Sequence, residues 1–131
     1  MRDRDHALER ISDDFRATTG RGLALAFESD AEWGGAEIQV VIEDRYVGAV
    51  GRSFSADEER FVSEAADVLR EHWLDEEVWG GWPICPRHGG HPLDPALDPA
   101  GVATWLCPQS GPVARMGSLG AAIVSLKRQP R

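Results

Sequence analysis

The chain has 131 residues, of which 42% are hydrophobic and 27% charged, with a net charge of −8 and two cysteines. This balance excludes wholesale disorder, and the length suits one compact domain or a core of about 80 residues with a small appendage. No apolar run approaches the roughly 20 residues of a membrane helix. The polar opening Met1-Arg2-Asp3-Arg4-Asp5 has no apolar signal region, so the expected location is the cytoplasm. Charge is split along the chain. Through residue 78, nine arginines face 20 carboxylates, a net −11; beyond it, five cations face two aspartates, a net +3. An acidic body of this kind argues against general nucleic-acid binding, where phosphate repulsion would dominate.

Residues 3–19 are predicted to form an amphipathic helix, with Ala7, Leu8, Ile11 and Phe15 on one face and Gly20 as its stop. Residues 22–28 alternate, with Leu23, Leu25 and Phe27 on one side, and read as a strand. A loop from Ser29 to Gly35 follows, and Trp33 within it is a candidate exposed contact. A second strand is expected over 36–43, with Ile38, Val40 and Ile42 inward, then a tight turn at Asp44-Arg45 and a third strand over 46–53. Ser55-Ala56-Asp57-Glu58 has the form of a capping box opening a helix to about residue 77. Its end, Asp75-Glu76-Glu77, reads as solvated, and His6 and His72 read as exposed. The order helix, three strands, helix implies an antiparallel sheet with helices packed on one face.

Gly80-Gly81 and Pro83 break this pattern, which places a boundary between an acidic α+β body, residues 1–79, and a small module, residues 80–126. Within the module, 91–99 reads as a Pro- and Asp-rich loop, 101–107 and 112–117 as strands. Residues 120–126 fit either strand or helix. The basic tail, 127–131, is expected to be disordered. Trp73, Trp79, Trp82 and Trp105 cluster near the join and read as cement between helix and module.

The module contains an echo: Cys85-Pro86-Arg87-His88-Gly89 returns as Cys107-Pro108-Gln109-Ser110-Gly111. Paired arches of this shape, each offering two ligands, are how a zinc ribbon holds its metal. Here the candidate ligands in order are Cys85, His88, His91 and Cys107, spaced Cys-x2-His-x2-His-x15-Cys. Thiolate sulfur and imidazole nitrogen suit tetrahedral Zn2+, while Ser110, where the second arch would carry its second ligand, is a poor zinc ligand. Three readings stand open: a structural zinc site, a metal-free ribbon whose cysteines are buried thiols or a disulfide, or no ribbon at all.

The segments Trp82-Pro83-Ile84-Cys85-Pro86-Arg87-His88 and Trp105-Leu106-Cys107-Pro108-Gln109-Ser110-Gly111 resemble small actinobacterial proteins with a Trp-Pro-x-Cys-Pro-x-His segment followed by Trp-x-Cys-Pro. They are also similar to a degenerate rubredoxin-type zinc ribbon, about a quarter of the chain being covered. The first likeness implies no activity. The second implies a ribbon fold and a structural zinc on Cys85, His88 and Cys107.

The expected fold is therefore α+β: a helix–three-stranded antiparallel sheet–helix body followed by a small β zinc-ribbon-like module. The expected function is non-enzymatic: cytoplasmic binding of another protein, a basic one being suited to the acidic body. A small zinc- or thiol-dependent hydrolase is the alternative; it needs an open metal position or a Cys–His pair, with Asp94 or Asp98 as nearby base. A further alternative is a nucleic-acid contact through Arg87, Arg115, Lys127, Arg128 and Arg131.

Overall fold

The computed structural model describes residues 2–30 and 35–128. The expected exposed contact at Trp33 lies outside the described residues, as do Gln129, Pro130 and Arg131. The architecture is α+β, with helices packed around two three-stranded antiparallel sheets.

Helix α1 (Arg2–Thr19) buries Leu8, Ile11 and Phe15 completely, as its periodicity requires. It lies against a meander of β1 (Leu23–Asp30), β2 (Gly35–Ile42) and β3 (Arg45–Arg52), in the order β1-β2-β3. Ile38, Val40 and Ile42 of β2 form the floor of the core. The β2–β3 turn sits one residue earlier than expected. Ile42 pairs with Arg45, and Glu43 and Asp44 both take positive φ, 50° and 65°. Consecutive left-handed residues match the twist of a two-residue hairpin, and short acidic side chains such as Asp are among those that tolerate them best.

Helix α2 (Glu58–Leu69) is capped by Asp57, whose carboxylate accepts from the Arg60 amide at 2.9 Å, and not by Ser55 as the capping-box pattern suggests. The Ser55 hydroxyl instead accepts from the Asp57 amide, and the Ser55 amide donates to Glu64. At Leu69 the α-helix opens into a π-helical turn, Arg70–Leu74, before a short α3, Asp75–Glu77. The acidic end is engaged and not simply solvated: Asp75 accepts from the Trp82 amide, and Glu77 pairs with Arg21.

The second sheet contains β4 (Asp94–Leu97), β5 (Ala103–Cys107) and β6 (Gly111–Arg115), in that order. Strand β4 falls inside the segment read as a loop. It is an edge strand paired only with β5, so Pro95 can turn its missing donor side outward. Helix α4 (Leu119–Arg128) resolves the ambiguity over 120–126. It also carries Lys127 and Arg128 in its last turn, where cations favour the helix dipole, so these two residues do not belong to a disordered tail.

One buried cluster runs from α1 and the first sheet through α2 into Trp82, Leu93, Trp105 and Met116. Trp82 meets Phe15 and Trp105 edge to face, at centroid distances of 5.4 and 5.2 Å. Trp79 departs from the expected cement: it is 98% exposed.

Polar clamps reinforce the join. Arg10 of α1 makes a two-pronged pair with Glu59 of α2, at 2.8 and 2.9 Å, and its Nε donates to the Met116 carbonyl. Glu59 in turn accepts from the Ala103 amide at the start of β5. Buried Arg70 donates to the Trp82 carbonyl at 2.8 Å.

Candidate metal centre

Two hairpins supply the candidate ligands. The first is closed by Leu93 N to Pro83 O and by Cys85 N to His91 O at 2.8 Å, with an isolated bridge between Ile84 and Pro92. Its tip is an arch in which Gly89 N returns to Cys85 O at 2.8 Å. The second arch joins β5 to β6, where Cys107 pairs with Gly111. Gly89 and Gly111 have φ of 76° and 89°, a region that side-chain-bearing residues enter only with strain. The echoed sequence thus encodes two matched turns.

The two arches bring four side chains to one point. Cys85 Sγ, Cys107 Sγ and one ring nitrogen each of His88 and His91 all lie within 4.8 Å of one another, a cluster that could hold a metal ion. His88 Nδ1 is 3.5 Å from Cys85 Sγ and 3.4 Å from Cys107 Sγ, and His91 Nε2 is 3.6 Å from Cys107 Sγ. A tetrahedron with metal–sulfur bonds of about 2.3 Å and metal–nitrogen bonds of about 2.0–2.1 Å has sulfur–nitrogen edges of roughly 3.5 Å, so the donor set and its spacing fit such an ion. Both cysteines are buried free thiols; His88 is exposed and His91 half-buried, and their rings stack at 5.3 Å. The sulfurs face the core, and the imidazoles close the centre on the solvent side.

Ser110 stands where a fourth cysteine would complete the ribbon pattern. Its side chain has a different task. Burial pushes the Cys107 thiol up, but hydrogen bonds from the Ser110 hydroxyl, the Gln109 and Ser110 amides and the Cys85 thiol outweigh it. The result is a value of about 6, against an ordinary 9.0. The lowered value favours the thiolate, the form that ligates metals. Arg87 crosses between the arches, donating to Ser110 Oγ at 3.0 Å and to the Pro112 carbonyl at 3.1 Å.

Other candidates are not brought to the centre. Asp98 is consumed by its own loop, where it accepts from the Ala100 and Val102 amides at 2.8 and 2.9 Å. Asp94 faces Arg70 at 3.8 Å.

A further buried polar residue holds the second sheet and carries no expectation from the sequence. Asp14 of α1 is almost fully buried. Its Oδ2 accepts from Trp105 Nε1 at 2.8 Å and Gly117 N at 2.6 Å, and its Oδ1 accepts from Leu119 N at 3.0 Å. It thereby fixes the central strand of the second sheet and caps α4 from another helix. Burial raises its carboxyl above the usual range, against the pull of those three donors. A signal existed, since Asp14 sits at helical spacing from Ala7 and Ile11, on the apolar side of α1.

No helix among the described residues is long and apolar enough to cross a membrane. Comparison with known proteins finds no protein family that matches the chain, no similar curated protein and no similar solved structure.

Proposed function

We propose that this chain is a non-enzymatic protein-binding module stapled by one structural zinc ion on Cys85, His88, His91 and Cys107, in a zinc-ribbon-like element. The observation that carries the reading is the convergence of four protein donors within 4.8 Å, two of them buried sulfurs. Four protein ligands complete a tetrahedron, which is the signature of structural sites; catalytic zinc keeps a position open for water or substrate. The paired sulfur and nitrogen donors favour zinc over harder cations, which prefer oxygen.

The hydrolase alternative finds little support. Both nearby aspartates are engaged elsewhere, and His88 is exposed, although Cys85 lines the groove of about 730 Å³ beside it. A nucleic-acid contact has as little: Arg87 is spent on the second arch.

Cobalt substitution tests the zinc reading. Co2+ bound by two thiolates and two imidazoles in a tetrahedron gives intense visible d–d bands together with sulfur-to-metal charge transfer. Cys85→Ser should weaken the charge transfer, and H91A should alter the d–d bands. A pale octahedral spectrum would overturn the assignment. Co-purification from the native host at low and high salt tests the binding role, and a chain that stays alone at every ionic strength would count against it.

A further inference from the structure

The groove of about 730 Å³ is shared by three parts of the fold: the last turn of α1, the first arch and α4. Small-molecule sites span about 300–1,000 Å³, so its volume suits one. Val78, Ile84, Pro86, Ile123 and Leu126 supply its apolar wall, and Trp82, almost fully buried, also lines it. The polar side chains along it are engaged, with one exception. Trp82 Nε1 donates to Thr18 Oγ1 at 2.9 Å, and that hydroxyl donates to the Asp14 carbonyl at 2.8 Å. The Thr19 hydroxyl donates to the Phe15 carbonyl at 2.6 Å, and Cys85 belongs to the candidate metal centre.

The exception is Lys127. It lines the groove, is exposed, and makes no ion pair among the described residues. The sequence carries 22 carboxylates and a single lysine, yet the lysine lines the groove and no carboxylate does. A lysine stem packs on apolar surface while its ammonium stays in water. An anion at this groove meets a cation, whereas over the acidic body it meets repulsion.

We propose that the groove binds a small amphipathic carboxylate, its apolar chain against Ile84, Ile123 and Leu126 and its carboxylate at the Lys127 ammonium. An apolar wall with few polar groups that fix orientation is the usual construction of a small-molecule site. An amine would find no anionic side chain on the wall, and a neutral ligand would leave Lys127 unused. The proposal goes beyond the protein-binding role and does not rest on it.

Octanoate, octanol and octylamine, each titrated into the full chain to millimolar concentration, test it by calorimetry and amide chemical shifts. Octanoate should bind, with shifts concentrated at Thr18, Thr19, Ile84 and residues 123–127. Octanol should bind more weakly, and octylamine most weakly. K127Q should weaken octanoate about five- to tenfold, the worth of an exposed charge-assisted contact, and leave octanol unchanged. Leu126→Gln should weaken octanoate and octanol alike; should it fail to fold, K127Q at its exposed position still decides. Absence of octanoate binding, shifts elsewhere on the surface, equal affinity for octanol or octylamine, or K127Q with undiminished affinity overturns the proposal. Sedimentation equilibrium covers a rival occupant: a dimer that K127Q or Leu126→Gln dissociates assigns the groove to a second copy and overturns it. A peptide ending in an apolar residue that binds there when octanoate does not assigns it to a partner chain, with the same consequence.

Discussion

Three N–H donors converge on the Asp14 carboxylate, from Trp105, Gly117 and Leu119, and among the described residues no cation pairs with it. An amide in its place would turn an NH2 group toward some of those donors. Asp14→Asn should therefore cost about 1–3 kcal/mol of stability, read from urea unfolding at neutral pH. At the centre itself, Ser110→Ala removes a hydrogen bond to Cys107 without touching a ligand. A hydrogen-bond partner of this kind orients the ligating sulfur and tunes its basicity, so the variant should bind metal about 10–100-fold more weakly in competition with a chromophoric chelator. Unchanged affinity would show that the Ser110 hydroxyl is incidental.

Among the elements, α4 docks on α1 through a close approach. A Cβ built on Gly120 would lie 2.8 Å from Ala17 Cβ, so G120L should displace the helix and lower the melting temperature, whereas a substitution at exposed Ser125 should not. The Arg10–Glu59 clamp joins α1, α2 and β5. Glu59 is held below its ordinary 4.5, first by its hydrogen bonds with Arg10, against the opposing pull of burial. A lowered carboxyl contributes stability that is complete above pH 4.5 and is lost as pH falls through its folded value. E59Q should cost about 1.5–3 kcal/mol at neutral pH, and its deficit against the wild type should shrink below pH 4.5. A deficit that is flat with pH would exclude the ionised clamp.

The elements legible in the sequence were those with strong local period or strong turn chemistry. The apolar faces of α1 and α2 and the alternation of β2 set their own class, and the repeated Cys-Pro-x-x-Gly turn marked where the candidate ligands converge. What stayed hidden depends on partners distant in sequence. Strand β4 looks like a loop until β5 supplies an edge for it, and α4 is undecided until Asp14 caps it from 105 residues away. The cap of α2 shifted from Ser55 to Asp57 because both residues offer an acceptor, and only the backbone path chooses between them. Trp79 and Trp82 look alike in sequence, yet one is exposed and the other buried, because an extended backbone at Val78 and two glycines separate their directions.

At the scale of the whole molecule, the second sheet packs on α1 and α2 through Trp82, Trp105, Asp14 and the Arg10–Glu59 clamp, while the two arches meet at the four donors. Metal bound there is folding free energy for the arches. Chelation should lower the melting temperature, and so should acidification, since both thiolates and imidazoles must be deprotonated to ligate. The most direct measurement is elemental analysis of the untagged protein, purified from zinc-replete cells without chelator, alongside the C85S/C107S double variant. The expected result is one zinc per chain in the wild type and none in the variant. A wild-type protein that carries no zinc and takes up none on addition would contradict the structural zinc centre.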